Sequence, residues 1–302
     1  MMPHVCVLLA AYNGAKYIEE QLDSILNQEG VLVDIYISLD LSDDNSFDIV
    51  SKYEMSHQNV YFMNYGERFG SAGQNFFHLL KNVDFSNYEF ISFSDQDDIW
   101  LPYKLEKSID QIMNHDADAY SGNVTAFWNN GKEKLIKKDS KQVKYDYLFE
   151  SAGPGCTFVL RHKLALRLKE VLQNKSSELN SLWLHDWFCY SFSRSNNFSW
   201  IIGSEPLMLY RQHDDNEVGA SSGLQALWSR AKVILSGDGL DRVIQQSTYL
   251  NQDERPLKLI KNDSALSLFK LAFLGYECRR KKTEKVFFSI AVFILAIKKA
   301  FK

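Results

Sequence analysis

Cysteine is scarce in this chain and none of it is clustered. Cys6, Cys156, Cys189 and Cys278 stand far apart with no C-x-x-C pair, which excludes a disulfide framework and a zinc site of ordinary spacing and leaves reduced thiols in the cytoplasm as the expectation. The chain has only five prolines and no Pro- or Gly-rich stretch, so no flexible linker between domains is called for, and no internal repeat is visible. No charged n-region leads into an apolar h-region and cleavage site, and no secretion signal is expected. The first strand-like run is not followed by G-x-G-x-x-G, which argues against a Rossmann-type oxidoreductase. Long apolar runs are also lacking. Val286–Ile297 (VFFSIAVFILAI) is apolar except at Ser289, but as a helix rising ~1.5 Å per residue it spans about 18 Å, short of a ~30 Å hydrocarbon core.

Positive charge is missing from the body and concentrated at the end. From Pro256 onward there are eleven Lys/Arg against three acids, a net +8, so the preceding 255 residues carry −12 of the overall −4. An acidic body excludes nucleic acid as the main partner, while a basic tail suits an anionic surface.

What is present is a globular composition, 45% hydrophobic and 24% charged over 302 residues, enough for one large domain or two smaller ones. Val5–Ala10 is a short apolar strand, followed by a turn at Tyr12-Asn13-Gly14. A helical pattern comes next, with Tyr17, Ile18, Leu22, Ile25 and Leu26 spaced by threes and fours. The alternation continues with strand Val33–Leu39, helix Asp44–Tyr53, strand Val60–Met63, helix Ala72–Leu80 and strand Phe90–Phe93. Pro102 then opens a helix running to about His115. Strands and helices in alternation with short connections predict a doubly wound, mostly parallel α/β sheet flanked by helices. Ligands bind such sheets at the carboxyl ends of the strands. The residues there are Ala11-Tyr12-Asn13, Asp40 and Asp95-Gln96-Asp97-Asp98.

The second half is less regular. Lys132–Lys144 reads as a solvated loop or exposed hairpin. Cys156–Leu160 reads as a strand after Gly153-Pro154-Gly155, and Leu182–Phe192 as a helix containing His185-Asp186-Trp187. Ile201–Gly203 and Leu207–Tyr210 are strand candidates, and everything beyond about Ser221 reads as helix.

The stretches Val7-Leu8-Leu9-Ala10-Ala11-Tyr12-Asn13-Gly14 and Gln21-Leu22-Asp23-Ser24-Ile25-Leu26-Asn27-Gln28 resemble the opening of family 2 glycosyltransferases. So do Ser94-Asp95-Gln96-Asp97-Asp98-Ile99-Trp100-Leu101-Pro102, His185-Asp186-Trp187 and Tyr210-Arg211-Gln212-His213. The resemblance covers about residues 4–220 and is nearest to bacterial rhamnosyltransferase-like members of O-antigen or capsular polysaccharide synthesis. It implies a GT-A fold over 1–220, with 1–115 the nucleotide-sugar half and 116–220 the acceptor half, and a helical extension at 221–302. It also implies a divalent cation (Mg2+ or Mn2+), inversion at the anomeric carbon, and dTDP-rhamnose as donor, with a UDP-sugar as the alternative.

By the same resemblance, Asp97 ligates the metal, while Asp95 serves the donor ribose or a metal-bound water. Asp98 caps or braces the following helix. Ala11, Tyr12 and Asp40 form the nucleobase pocket, and Gln96 lies on the donor. Ser71 and Asn75 match a stretch near the donor, against a plain reading as helix cap and surface amide. Asp186 is the general base that deprotonates the acceptor hydroxyl. His185, Trp183 and Trp187 either contact the acceptor or pack in the core. Arg211 clamps diphosphate oxygens and His213 is a further metal ligand. One departure stands out: the usual Asp-Asp-Gly-Ser after the second strand is Leu39-Asp40-Leu41-Ser42 here. A leucine resists the positive φ that glycine permits, so the loop is expected to be reshaped or Asp43-Asp44 to take over part of its work. The departure suggests, as an alternative, a catalytically silent carbohydrate-binding scaffold, against which the retention of Asp40, Asp97 and Asp186 argues.

For the tail, the apolar run between Arg279-Arg280-Lys281-Lys282 and Lys298-Lys299 predicts a monotopic membrane contact within 279–302, against a core helix or a packing face for another copy. The expected setting is the cytoplasmic face of the inner membrane, with a polyprenyl-diphosphate-linked glycan as acceptor.

Overall fold

The computed structural model describes residues 2–212 and 237–301. They fall into two compact units. The first holds both β-sheets, and the second holds the C-terminal helices together with Ser140–Ser151 and Ser181–Trp183. The second unit thus also takes in two short segments from the middle of the chain.

In the first unit β1 (His4–Ala11), β2 (Leu32–Leu39), β3 (Val60–Phe62) and β4 (Phe90–Ser94) alternate with α1 (Ile18–Leu26), α2 (Ser46–Ser56) and α3 (Ala72–Asn82). A two-residue β5 (Ile99–Trp100), α4 (Lys104–Asn114), β6 (Ala119–Gly122), β7 (Val124–Phe127) and β8 (Glu133–Ile136) follow. The unit continues through β9 (Val159–Arg161), α5 (His162–Asn174), α6 (His185–Ser195), β10 (Trp200–Gly203) and β11 (Met208–Arg211). The main sheet has seven strands in the order β10-β6-β9-β4-β1-β2-β3, and a second sheet has the order β5-β11-β7-β8. All pairings of the main sheet are parallel except those of β9, which runs against both β4 and β6. β1 is buried along nearly its whole length. That burial on both faces is why it reads as continuous apolar sequence rather than alternation. On α1 the buried positions Ile18, Gln21, Leu22 and Ile25 repeat at helical spacing.

Register fixes the working edge. Ala11 pairs with Leu39 on one side of β1, and Leu9 pairs with Ser94 on the other. The residues after β1, β2 and β4 therefore emerge side by side, as expected for parallel neighbours.

Several expectations are corrected. The strand expected at Cys156–Leu160 is a short 3-10 turn, Gly155–Thr157, and the strand starts only at Val159. The helix expected from Leu182 starts at His185. Pro102 lies before the N-cap Tyr103 rather than in the first helical turn. Asp98 does not cap that helix, whose N-cap has no side-chain hydrogen bond. Leu41 is not among the positive-φ residues, whereas Asn13 is, at φ 47°. The loop after β2 thus needs no left-handed residue at Leu41; the left-handed residue at this edge, Asn13, belongs to the turn after β1 and is of a type that tolerates it. The lysine-rich stretch does form a hairpin, with β8 pairing antiparallel to β7.

The second unit comprises α7 (Asp238–Tyr249), α8 (Arg255–Asn262), α9 (Ala265–Phe273), α10 (Gly275–Cys278) and α11 (Lys282–Ala300). Gly275 lets α10 and α11 approach closely, because a Cβ there would lie 2.1 Å from Ser289 Oγ. The basic run ahead of α11 is only partly outward. Arg279 donates to the Phe149 carbonyl and pairs with Glu284, while buried Arg280 pairs with Glu150 and with fully buried Asp146. Among the described residues no helix is long and apolar enough to cross a membrane.

Candidate active site

The turn after β1 and the acidic turn after β4 are bound together by one side chain. The Tyr12 N–H donates to Gln96 Oε1 at 2.8 Å, and Gln96 Nε2 donates back to the Tyr12 carbonyl at 2.8 Å. The amide fills the space beside Gly14, where a Cβ would come within 2.3 Å of Oε1, so the glycine is needed for close approach. Tyr12 itself is exposed, leaving its ring open to a planar ligand. On the next strand, buried Asp40 accepts from the backbone N–H groups of Leu41 (2.8 Å), Phe69 (3.0 Å) and Gly70 (2.9 Å). Its carboxylate thus fixes the segment entering α3. Asp44 is likewise engaged in its own loop. It accepts from the Ser46 hydroxyl, from Ala15 N–H at 2.9 Å and from Ser46 N–H at 3.0 Å; burial raises its pKa, but those bonds, the Ser46 hydroxyl first, lower it on balance.

Asn75 bridges the same edge from below, its Nδ2 donating to the Ala11 carbonyl (3.2 Å) and the Ser38 carbonyl (3.0 Å). It is buried, not a surface amide, and among the described residues its Oδ1 has no hydrogen-bond partner. Ser71 is the N-cap of α3, accepting from Gln74 N–H at 3.3 Å.

The three carboxylates after β4 have different surroundings. Asp97 and Asp98 are buried, and Asp95 is partly exposed. Asp98 Oδ1 accepts the Arg211 N–H at 3.1 Å, so this carboxylate holds the end of β11 instead of bracing α4. Asp95, Asp98 and Cys156 each bring one ligand-type atom within 4.8 Å of the others. Burial, reinforced by the charges of Asp97 and Asp95, pushes Asp98 well above the usual carboxylate range. Burial also holds the Cys156 thiol up, again with Asp98 and Asp95 adding to it. Below them, buried Lys104 sits 3.3 Å from the centroid of the Trp100 ring, with burial lowering its pKa to about 7.

This turn fits a hard divalent cation. Negative charge is crowded there, as the raised Asp98 records, and carboxylate oxygens are the donor type that Mg2+ or Mn2+ takes. Among the described residues, however, the three groups whose ligand atoms come together are Asp95, Asp98 and Cys156 rather than the expected Asp97. The Cys156 thiol, kept protonated by burial, is a poor ligand for such an ion. His213 lies outside the described residues.

Arg211 is not open to a diphosphate. Its buried guanidinium donates to the Asp97 carbonyl at 2.8 Å, pairs with Glu20, and lies over the rings of Tyr17 (4.4 Å) and Phe127 (4.6 Å). It ties the acidic turn to α1.

His185 is also internal. Its ring stacks on Phe76 at 3.8 Å and meets Phe93 edge-on at 5.4 Å, and among the described residues neither nitrogen has a hydrogen-bond partner. Burial drives its pKa down to about 3, so it is a neutral packing group rather than an acceptor contact. A Cβ on Gly155 would lie 2.2 Å from its Nε2, which is why this turn carries glycine. Asp186, the next residue, is half-buried in the first turn of α6, where the helix dipole favours a carboxylate. Through His185 the start of α6 contacts Phe93 of β4, the strand that leads into the acidic turn. Trp187 is buried. Trp183 belongs to the second unit, where the Arg242 guanidinium lies 3.7 Å over its ring.

Cys156, Lys104, Glu20 and Gly155 were not singled out from sequence. A lysine two residues after Pro102 carries no local mark of burial, and Glu20 sits on the polar side of α1. Only the Pro-Gly turn ahead of Cys156 was visible.

The fold defines the class first. The UDP complex of S. aureus TarS (residues 1-349) superposes with TM-score 0.54 at 16% identity, covering 97% of this chain and 91% of that one. The mannosyltransferase PcManGT of Pyrobaculum calidifontis, in complex with GDP-Man and Mn2+, gives TM-score 0.51 at 15% identity, covering 100% and 88%. The architecture is the GT-A fold. Residues 6–174 match the family model for glycosyl transferase family 2. The dTDP-rhamnosyl transferase RfbG of Shigella flexneri is 38% identical over 280 residues, 92% of this chain and 96% of that protein. WfgD of Escherichia coli, a UDP-Glc:alpha-D-GlcNAc-diphosphoundecaprenol beta-1,3-glucosyltransferase, is 26% identical over 54% of this chain and 61% of its own length. The chain belongs to glycosyltransferase family 2 and is a glycosyltransferase.

Proposed function

We propose that this enzyme transfers rhamnose from dTDP-rhamnose, with inversion, to a glycan carried on a polyprenyl diphosphate, in the synthesis of a bacterial surface polysaccharide. The observation that carries the donor is the likeness to RfbG along nearly the full length of both chains. The lipid-carried acceptor rests on the more distant likeness to WfgD and on a basic, apolar tail suited to the cytoplasmic face of the inner membrane.

Ala11 and Tyr12 contact the nucleobase, with Gln96 fixing their backbone. Asp40 and Asn75 hold the walls of that pocket. Asp97 and Asp95 hold the divalent cation, whose chemistry is to neutralise charge on the departing diphosphate. Asp186 takes the proton of the acceptor hydroxyl as that oxygen bonds the anomeric carbon from the face opposite the diphosphate. Arg211 and His185 act as positioning groups, the first for Asp97 and the second for Asp186.

A thermal-shift panel of dTDP-, UDP- and GDP-sugars with Mg2+ or Mn2+ tests the donor. dTDP-rhamnose with metal should stabilise the protein most, by about 2.7 kcal/mol at a hundredfold excess over Kd. A larger shift with a UDP-sugar would replace the donor, and no shift with any would favour the silent scaffold.

A further inference from the structure

The two sides of α11 are both apolar, but only one is covered. Phe288, Ala291, Val292 and Ala296 are buried on one side, consistent with the packing of this helix on α9 and α10. Opposite them Val286, Ile290, Phe293, Ile294, Ile297 and the C-cap Phe301 project outward. Their spacing of three and four puts them on a single helical stripe. The exposure is large for aliphatic and aromatic side chains, 55% at Ile290 and 88% at Phe301. At one border Phe293 touches Phe269 of α9, with ring centroids 5.0 Å apart, so the stripe adjoins a fixed base rather than a fraying end. Contiguous apolar faces of this kind mark interaction surfaces.

We infer that this stripe is a docking surface for the headgroup–acyl boundary of an anionic membrane, with α11 lying in the plane of the bilayer. Charge selects this occupant over a second copy of the chain. Lys282 and Lys298 are exposed near the two ends of the helix, and the chain from Pro256 onward carries +8. Two such faces brought together would oppose lysine to lysine at both ends in an antiparallel pair. An anionic leaflet complements the lysines at both ends. Arg279 and Arg280 contribute nothing to headgroup binding, since their guanidinium groups are paired inside the unit. The contact falls instead to the lysines and the apolar stripe, the pattern of interfacial helices. This deepens the proposal of a lipid-carried acceptor by giving the enzyme a membrane-facing side.

Co-sedimentation of the full chain with vesicles decides it. The protein should bind phosphatidylglycerol/phosphatidylcholine vesicles at least tenfold more strongly than pure phosphatidylcholine vesicles, and binding should weaken as salt rises. The double variant Ile290→Asp/Phe293→Asp should lose at least tenfold in partition coefficient. Lys282→Glu/Lys298→Glu should lose the preference for anionic lipid. Met55→Asp, an exposed apolar position on α2, should change nothing. Transfer to a soluble acceptor analogue should survive in all of them, so loss of vesicle binding and loss of the glycosyltransferase reading are separate results. Wild-type protein that ignores anionic vesicles would overturn the inference. So would a dimer by light scattering that Ile290→Asp/Phe293→Asp dissociates while vesicle binding persists, and that result would assign the stripe to a second copy.

Discussion

Acid should destabilise this protein through one buried imidazole. Between Phe76 and Phe93, His185 has no hydrogen-bond partner for either ring nitrogen among the described residues, and burial lowers its pKa from 6.5 to about 3. Above pH 6.5 the ring is neutral in both the folded and the unfolded chain and contributes no pH dependence. Below 6.5 the unfolded chain binds a proton that the folded chain refuses, so stability falls with falling pH and levels off only near pH 3. The slope is about 1.36 kcal/mol per pH unit, which gives about 2 kcal/mol by pH 5. His185→Phe keeps an aromatic ring in the stack and removes the titration. Crowding against Gly155 shifts its baseline but not its pH slope. Urea unfolding of both proteins at intervals from pH 7.5 to 4.5 isolates the term, because every other histidine is common to the two. The difference in stability between variant and wild type should move by about 2 kcal/mol in favour of the variant between pH 7 and pH 5. A difference that stays constant with pH would refute the reasoning and return His185 to the list of solvent- or acceptor-contacting groups.

Asp97→Ala should abolish metal-dependent transfer while leaving the fold intact by circular dichroism, and wild-type turnover would overturn its proposed role. Gln96→Ala removes both bonds that clamp the Tyr12 backbone. At about 0.5–1.5 kcal/mol each, the loss should raise the donor KM by about tenfold with a smaller change in kcat; an unchanged KM would detach the clamp from the donor site. Arg280→Ala leaves the buried Asp146 carboxylate without its guanidinium and should cost about 3–5 kcal/mol in chemical denaturation. A loss below about 1 kcal/mol would mean that the pair is not what anchors the start of α11.

The working edge of the sheet was legible because parallel strands place it by rule. Tyr12, Asp40 and the Asp95–Asp98 turn all follow buried apolar strands, and the register of β1 with β2 and β4 sets those strand ends side by side. Which carboxylate does what was not legible. Asp98 is committed to a backbone N–H 113 residues away, and Arg211 to Glu20 across 191 residues. No local spacing encodes such pairings. His185 reads as a polar neighbour of Asp186 until its aromatic surroundings are known, because those come from α3 and β4. Leu41 looked like a steric problem for its loop, but the backbone there takes no positive φ at that position. In the tail, the apolar run and the lysines were plain in sequence. Only packing separates the covered side of α11 from the open one, and only packing reveals that two of the arginines are internal.

The most direct test of the central claim is transfer by Asp186→Asn beside the wild type, using dTDP-rhamnose and a lipid-linked acceptor, with the product anomer read by NMR. The wild type should give the anomer opposite to that of the donor. The variant should bind donor as tightly as the wild type and lose about 10²–10⁴-fold in kcat, the usual contribution of a general base. Full activity in the variant, or a product that keeps the donor's anomeric configuration, would contradict inverting transfer with Asp186 as the base.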